Sequence, residues 1–573
     1  MSTSTRWRVE QEEAVGASGM VSAKHPLSAQ AGADILRAGG NAVDAAVATA
    51  FAESVVNPAM TGIGGGGNMV IFLAERGETV AIEYGMRSPS SVRPDMYELL
   101  PGYDSDGFAW RNTKGEANLY GYSSIAVPGT VAGLCLALER YGRLPLAEVM
   151  APAIHLARDG FEVSFYDVLI IGREMHRLRQ FPATSEVFLK PYQGDWAAPS
   201  PETPDRIVQR DLADTLELIA KNGRDGFYSG DVAAVIDRDM RAHGGYITVQ
   251  DLNNYTPRVS TPGFVARYRD HGILTAPWGN GGITVLQTLN ILKGYDLARL
   301  GHNSAPYLHT FIEATRRAYA DRFAHVADPD TAEVAWQGLM SDEYADARRK
   351  EIVPASATLR HAAGDPWQFQ SAPSGKQAIG KGDTAADHQT THMSTLDRDG
   401  NAVSVTQTLM SAFGSRVMTK GTGVVFNNGM MWFDPEPGHA NSIAPNKRPL
   451  SNMCPLIAFK DGQARLSVGA SGGRKIINCV TQIVLNVLDH GMNIQDAISA
   501  PRIDCSTATN LIDDRIPAAV VADLAERGHD VRVRGESFTP HLWASPVGIA
   551  VSPDGKRHGG VHRFYPAKAV GVD

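Results

Sequence analysis

Cysteine is scarce in this chain, with only Cys135, Cys454, Cys479 and Cys505 among 573 residues. None stands close enough to another for a CxxC pair, so neither a zinc ribbon nor a disulfide framework is indicated, and the four read as reduced, structural thiols. Basic charge is also in deficit, the formal net charge being -8. Without a basic excess there is nothing to neutralise phosphates, and nucleic acid is excluded as an expected partner. No run approaches the roughly eighteen uninterrupted apolar residues of a membrane span. The opening MSTSTRWRVEQEEAVGASG has no apolar core of the signal-peptide kind. The expectation is a soluble, cytoplasmic protein acting on a small molecule.

What is present is ordinary globular composition, 43% hydrophobic and 20% charged, enough for a large core or several domains. No internal repeat occurs at solenoid periods. From Leu27 to Asn57 Ala, Leu and Val recur at helical spacing, broken at Gly39–Gly40, with Asn41 suited to cap a second helix. Two buried, alanine-rich helices are expected. They lead into a glycine cluster, Gly62 to Gly67, and then an apolar strand. That order is wrong for phosphate binding, where the loop follows a strand and opens a helix, so the cluster reads as a tight turn needing positive φ. Val127 to Tyr255 is mostly helical, with Gly closing runs such as PGTVAGLCLALERYG and DLADTLELIAKNG. Ser356 to Gln389 is polar, aperiodic and rich in small residues, the pattern of an exposed loop.

After Gln389 the sequence becomes alternating strand. Thr390 to Thr408 holds two β-rich runs around Arg398-Asp399-Gly400, a three-residue hairpin turn with Gly where a left-handed residue is needed. Closing that turn puts Asp397 opposite Asn401, and Thr390 then falls opposite Thr408 on the same face. Cross-strand threonine pairs are also common in sheets of no catalytic role.

The run TTHMSTLDRDGNAVSVTQTLMSAFG resembles the signature that starts the small subunit of γ-glutamyltransferases. Other stretches follow in the same family order: ILRAGGNAVDAAVA, GIGGGG, VPGTVAG, RRAYADR, KRPLSNM and GASGG. The resemblance implies an α+β fold, the four-layer αββα sandwich of N-terminal nucleophile (Ntn) hydrolases. It also implies a self-made cut between Gln389 and Thr390, giving a large, helix-rich fragment (1–389) and a small one (390–573) that stay together as a heterodimer. Whether such heterodimers pair further is open. Thr390 then becomes the catalytic residue: its hydroxyl is a weak nucleophile that needs a base, and its own freed α-amine, with an ordinary pKa of about 7.7–8.0, can serve. By the same resemblance Thr408 orients that hydroxyl, the N–H groups of Gly472 and Gly473 form the oxyanion hole, and Ser451 and Asn452 hold a substrate carboxylate. No cofactor and no metal is implied.

Three other readings compete. Gly469-Ala-Ser-Gly-Gly473 fits a nucleophile elbow between strand and helix, with Ser471, Asp504 and His541 in α/β-hydrolase order. His388 and His392 stand four apart as helical metal ligands would, although the segment reads as extended. A catalytically dead relative could keep the fold and only bind.

Compared with the family pattern, several substrate-side groups are missing. Trp432 stands where an aspartate would meet the donor's ammonium, Gly429 where a glutamine is expected, Met410 for an asparagine, and Gly85 for a carboxylate-binding arginine that Arg87 could replace. Asn452 replaces a serine. A buried ammonium facing indole and thioether would lack a counter-ion. The pattern resembles the amidase branches of the family, the oxamate amidohydrolases and cephalosporin acylases, and implies hydrolysis of an amide carrying an acid group but no α-amine. An ordinary γ-glutamyltransferase is the alternative.

Overall fold

The structure is a computed structural model and describes residues 9–103, 110–200, 202, 205–370, 389–538 and 542–573. The alanine-rich segment forms two helices, Pro26–Arg37 and Ala42–Val56, joined through Gly39 at φ +96°. Asn41 caps the second in a capping box with Asp44. Every residue of Ala42–Val56 is buried, which its small side chains permit. The runs ending in Gly142 and Gly223 are helices Thr130–Tyr141 and Arg210–Asn222. Gly223 has the left-handed φ expected of a helix-ending glycine, +63°, whereas Gly142 is extended.

Two seven-stranded sheets form the centre. One runs in the spatial order Arg258–Ser260, Glu78–Tyr84, Gly66–Leu73, Ala402–Met410, Gln389–Leu396, Gly19–Ala23, Lys568–Val572. The other runs Ala14–Gly16, Arg557–Val561, Ser545–Val551, Gln463–Ser471, Leu456–Lys460, His271–Thr275, Phe264–Tyr268. Both draw strands from either side of residue 389. Alternation of side chains assigns the faces. Val70, Phe72, Leu396 and Ala402 meet Leu274, Ile457, Val547 and Ile549 between the sheets. Met69, Ile71, Met393, Val403 and Val405 point the other way, onto helix Ala42–Val56 and its neighbours. On the far side Leu466 and Val468 pack under helices Gly282–Leu292, Ala305–His325 and Lys475–Leu488. The layers are therefore helix, sheet, sheet, helix, the expected αββα sandwich.

The glycine cluster lies where expected, leading into strand Gly66–Leu73, but for a different reason. None of Gly62 to Gly67 has positive φ. A Cβ on Gly64 would stand 2.3 Å from the Val425 carbonyl oxygen, and one on Gly65 would stand 2.3 Å from that of Thr408. Close backbone approach, rather than a left-handed turn, demands glycine here. The turn Arg398-Asp399-Gly400 does follow the expected pattern, with Gly400 at φ +83° and Asp397 Oδ1 accepting from the Asp399 and Asn401 N–H groups. Most of the Ser356–Gln389 loop, from 371 to 388, lies outside the described residues.

The cysteines are free: Cys454, Cys479 and Cys505 are buried and Cys135 half-buried. Burial pushes the Cys479 thiol up to about 11 and those of Cys135 and Cys505 up to about 12, so none is a thiolate near neutral pH. Among the described residues no helix is long and apolar enough to cross a membrane.

Candidate active site

From Thr391–Gln407 to Leu396–Ala402 the hairpin keeps the register that the turn sets. Beyond Thr391 it slips, and Gln389 pairs with Met410. Thr408 and Leu409 thus share the place opposite Thr390, a β-bulge that bends the strand end and re-aims the side chains there. The Thr390 hydroxyl donates to Thr408 Oγ1 at 3.4 Å, and Thr408 Oγ1 also accepts from the Met410 N–H at 2.8 Å. Met410 reaches back in this way only by adopting φ +89°, a strained value for a side chain of its size. Thr390 is 2% exposed and Thr408 fully buried.

Thr390, His392 and Ser394 share the face toward the second sheet, and strand Gln463–Ser471 crosses them. Ser467 Oγ donates to Ser394 Oγ at 2.9 Å. Two residues on, the bare Cα of Gly469 covers His392, where an added Cβ would lie 2.3 Å from the imidazole Nδ1 and Cε1. The same alternation, continued by two residues, runs to Ser471 and the turn after it on one strand and back to Thr390 on the other. In that turn Gly472 and Gly473 take φ +130° and +60°, and helix Lys475–Leu488 follows. The threonine end of strand Gln389–Leu396 thus faces the end of a strand that runs into a two-glycine turn and a helix, an arrangement able to stabilise a developing oxyanion.

His392 is buried between the sheets, its Nδ1 2.8 Å from Thr406 Oγ1 and its Nε2 3.2 Å from Ser394 Oγ. Burial, reinforced by the positive charge of Lys24, lowers its pKa to about 3, so it is neutral. It lies on a strand and not on a helix, and His388 falls outside the described residues. Among the described residues two groups have ligand atoms near enough to hold a metal ion: His309, Glu313 and His529, and Asp434, Glu436 and His439. Neither includes a residue of the hairpin. In the first the groups are hydrogen-bonded already, His309 to His529 at 2.8 Å and Glu313 to Arg317 and Thr358.

Ser471 sits in the elbow geometry, but its hydroxyl donates to the Ser545 carbonyl at 3.4 Å. Among the described residues Asp504 accepts from Asn478 and Ser506, and His541 lies outside them.

Of the residues expected on the substrate side, Met410 and Trp432 come together in one apolar cluster with Met86, Met430, Met431 and Met453. The Trp432 indole N–H is buried with no hydrogen-bond partner among the described residues. Ser451 and Asn452, in the segment just before Met453, are nearly buried. Arg322 fixes that segment, donating to the carbonyls of Ser451, Gly279 and Asn280. The Ser451 hydroxyl accepts from the Met453 N–H at 3.2 Å. The place of a Cβ on Gly85 is open, with no atom within 4 Å. Arg87 is half-buried, with its guanidinium 5.7 Å from the Tyr255 ring and one nitrogen 3.4 Å from the Asn254 carbonyl.

Two buried charges flank the hairpin without having been singled out in the sequence. Glu53 accepts from the Thr391 hydroxyl at 2.9 Å, and burial raises its pKa. Lys24 continues the strand beside Ser394 and is buried between the sheets. Each is one charged residue in an apolar segment, with no local pattern to mark it.

The gamma-glutamyltranspeptidase family profile matches residues 28–561. The chain is 38% identical over 548 residues to the acylase ACY 1 proenzyme of Pseudomonas sp. (strain V22), covering 95% of this chain and 92% of that one. It is 36% identical over 521 residues to the glutathione hydrolase proenzyme of Bacillus subtilis (strain 168), covering 90% and 85%. Among solved structures, the cephalosporin acylase from Bacillus halodurans superposes with a TM-score of 0.84 at 28% identity, over 100% of this chain and 99% of that one. With the fold, the paired threonines and matches of this extent in hand, the chain belongs to the gamma-glutamyltranspeptidase family of Ntn hydrolases.

Proposed function

We propose that this hydrolase cuts its own Gln389–Thr390 bond and then uses Thr390 to cleave amides whose acyl part carries an acid group but no α-amine. The carrying observation is the Thr390–Thr408 hydroxyl pair, on a strand crossed by strand Gln463–Ser471, which runs into the Gly472–Gly473 turn. After the cut the α-amine of Thr390 accepts the hydroxyl proton as the oxygen attacks the amide carbonyl. The turn's N–H groups hold the oxyanion, and the same amine returns the proton to the leaving nitrogen. Water then releases the acyl group from Thr390 Oγ1. The relatives called proenzymes support processing, and the two fragments would form a heterodimer.

The apolar wall of Met86, Met410 and Trp432 supports a donor without an ammonium. The Asn452 amide, which makes no hydrogen bond among the described residues, and the Ser451 hydroxyl are the groups offered to a carboxylate. One relative's name, acylase, agrees with this reading, and the other, glutathione hydrolase, supports a γ-glutamyl donor as the second. The test is to purify wild type and Thr390→Ala and sequence the fragments. Wild type should give a small fragment beginning at Thr390 and Thr390→Ala a single inactive chain. A fully active uncut chain overturns the proposal.

A further inference from the structure

The segment ahead of helix Pro26–Arg37 carries one charged residue into the layer between the sheets, Lys24, which is 1% exposed. Its Nζ lies 3.9 Å from the centroid of the Tyr565 ring. It donates to the Ser545 carbonyl at 3.1 Å and also to the Ser545 hydroxyl. Ser545 is the partner of Ser471 in the last rung between strands Gln463–Ser471 and Ser545–Val551. Its carbonyl accepts from the Ser471 hydroxyl as well. Immediately past that rung the Cα of Ala544 lies 2.8 Å from where a Cβ on Gly472 would stand, so the two backbones touch. One ammonium therefore ties down the rung from which the oxyanion turn departs.

We propose that Lys24 is a positioning residue for the Gly472–Gly473 turn: its ammonium holds Ser545, and through it Ser471 and Gly472, where the oxyanion is met. Two neutral hydroxyls and a carbonyl would close this rung without a buried charge, and a buried cation is expensive unless something uses it. The clamp is strongest while Lys24 is protonated, because an ammonium donates charge-assisted hydrogen bonds and a neutral amine weaker ones. Burial lowers its pKa to about 7, against the attraction of Glu53. The titratable and charged groups around it are Glu53 on helix Ala42–Val56, His392 on the nucleophile strand, Cys479 on helix Lys475–Leu488, and Arg502, His562 and Tyr565. The freed amine of Thr390 joins them after processing. Turnover should accordingly carry an alkaline limb that belongs to Lys24.

The inference rests on Thr390 as nucleophile. If Thr390→Ala still processes and turns over, that reading falls. If wild type behaves as proposed and only the Lys24 results fail, this inference alone falls. The experiment uses processed Lys24→Met, of similar length and without charge, with whichever of the γ-glutamyl or glutaryl anilides wild type hydrolyses. The kcat should drop between about 10- and 100-fold, as for a displaced catalytic group, with KM within about twofold. The wild-type decline of kcat above pH about 7 should be missing from the variant. A wild-type kcat with the same alkaline limb overturns the proposal, as does a loss carried by KM alone. Should Lys24→Met fail to fold or process, Ser545→Ala decides. Loss of one acceptor makes the ammonium easier to deprotonate, so the limb should move to lower pH. A limb that stays in place overturns the proposal.

Discussion

The hydroxyls of Thr390 and Thr408 meet 3.4 Å apart at the one place where the register of their hairpin slips. Without the slip the two would be an ordinary cross-strand pair. With it, Met410 is turned to φ +89° and its N–H is aimed at Thr408 Oγ1, which fixes that oxygen as acceptor and directs its own proton elsewhere. Thr408→Val keeps the shape and removes the acceptor. It should lower kcat by about 10²-fold, as loss of an orienting group does, and slow the appearance of the two fragments. Thr408→Ser should retain most of both. Steady-state kinetics and a timed gel measure the pair, and an unchanged kcat in Thr408→Val refutes the role.

Specificity is predicted to turn on Trp432. Wild type should show the higher kcat/KM for a glutaryl than for a γ-glutamyl version of one anilide, because the α-ammonium would be desolvated against indole and thioether without a counter-ion. Trp432→Asp should shift the ratio toward the γ-glutamyl substrate. A wild type that already prefers it would make the protein an ordinary γ-glutamyltransferase.

Acid should destabilise the fold through buried neutral histidines. His392 has its pKa lowered to about 3, and those of His25 and His562 are lowered to about 4, all by burial. In the unfolded chain each takes up a proton near pH 6.5. Below that pH the unfolded state binds protons that the folded state refuses, so stability falls as pH drops from about 6.5 toward 3 or 4. Each histidine contributes a slope of up to about 1.4 kcal/mol per pH unit. His392→Gln, at some cost at pH 7, should lose less stability than wild type between pH 7 and 4. Denaturation midpoints at the two pH values test this, and parallel losses would count against it.

Gly469→Ala would drive a methyl into the His392 imidazole, 2.3 Å from two ring atoms. Relief requires the two sheets to move apart at the site, at a cost of about 1–3 kcal/mol or more. The variant should melt lower and process poorly. Gly85→Ala meets open space and should leave the melting temperature within about 1 °C, in line with the small effect of substitutions away from packed features.

The hairpin was legible in the sequence because a three-residue turn ending in glycine admits one register, and Thr391 to Leu396 obey it. The bulge was not, because it depends on how the chain beyond Met410 is held: the Leu409 N–H donates to the Met60 carbonyl, and the Asn428 N–H to that of Leu409. The glycine cluster was placed correctly and explained wrongly, since a local pattern shows that a side chain is missing but not which distant backbone needs the room. Lys24 and Glu53 escaped altogether. Nothing near a lone charge in an alanine-rich stretch tells whether it faces water or the space between two sheets. The place of Arg87 two residues after Gly85 was equally silent on its neighbours: its guanidinium lies against Tyr255 and Asn254.

A cut at 389/390 would have a consequence that follows from strand order alone. Strand Ala402–Met410 lies beside Gly66–Leu73, and Gln389–Leu396 beside Gly19–Ala23. In the other sheet Leu456–Lys460 lies beside His271–Thr275. The pieces would be woven through one another like the threads of a cloth, and neither would own a whole sheet. Each alone would bare rows of unpaired backbone donors and acceptors, a template for aggregation. Severing the chain would leave the fabric intact, whereas two pieces made from separate messages would have to weave it from nothing. Folding would therefore have to come before such a cut.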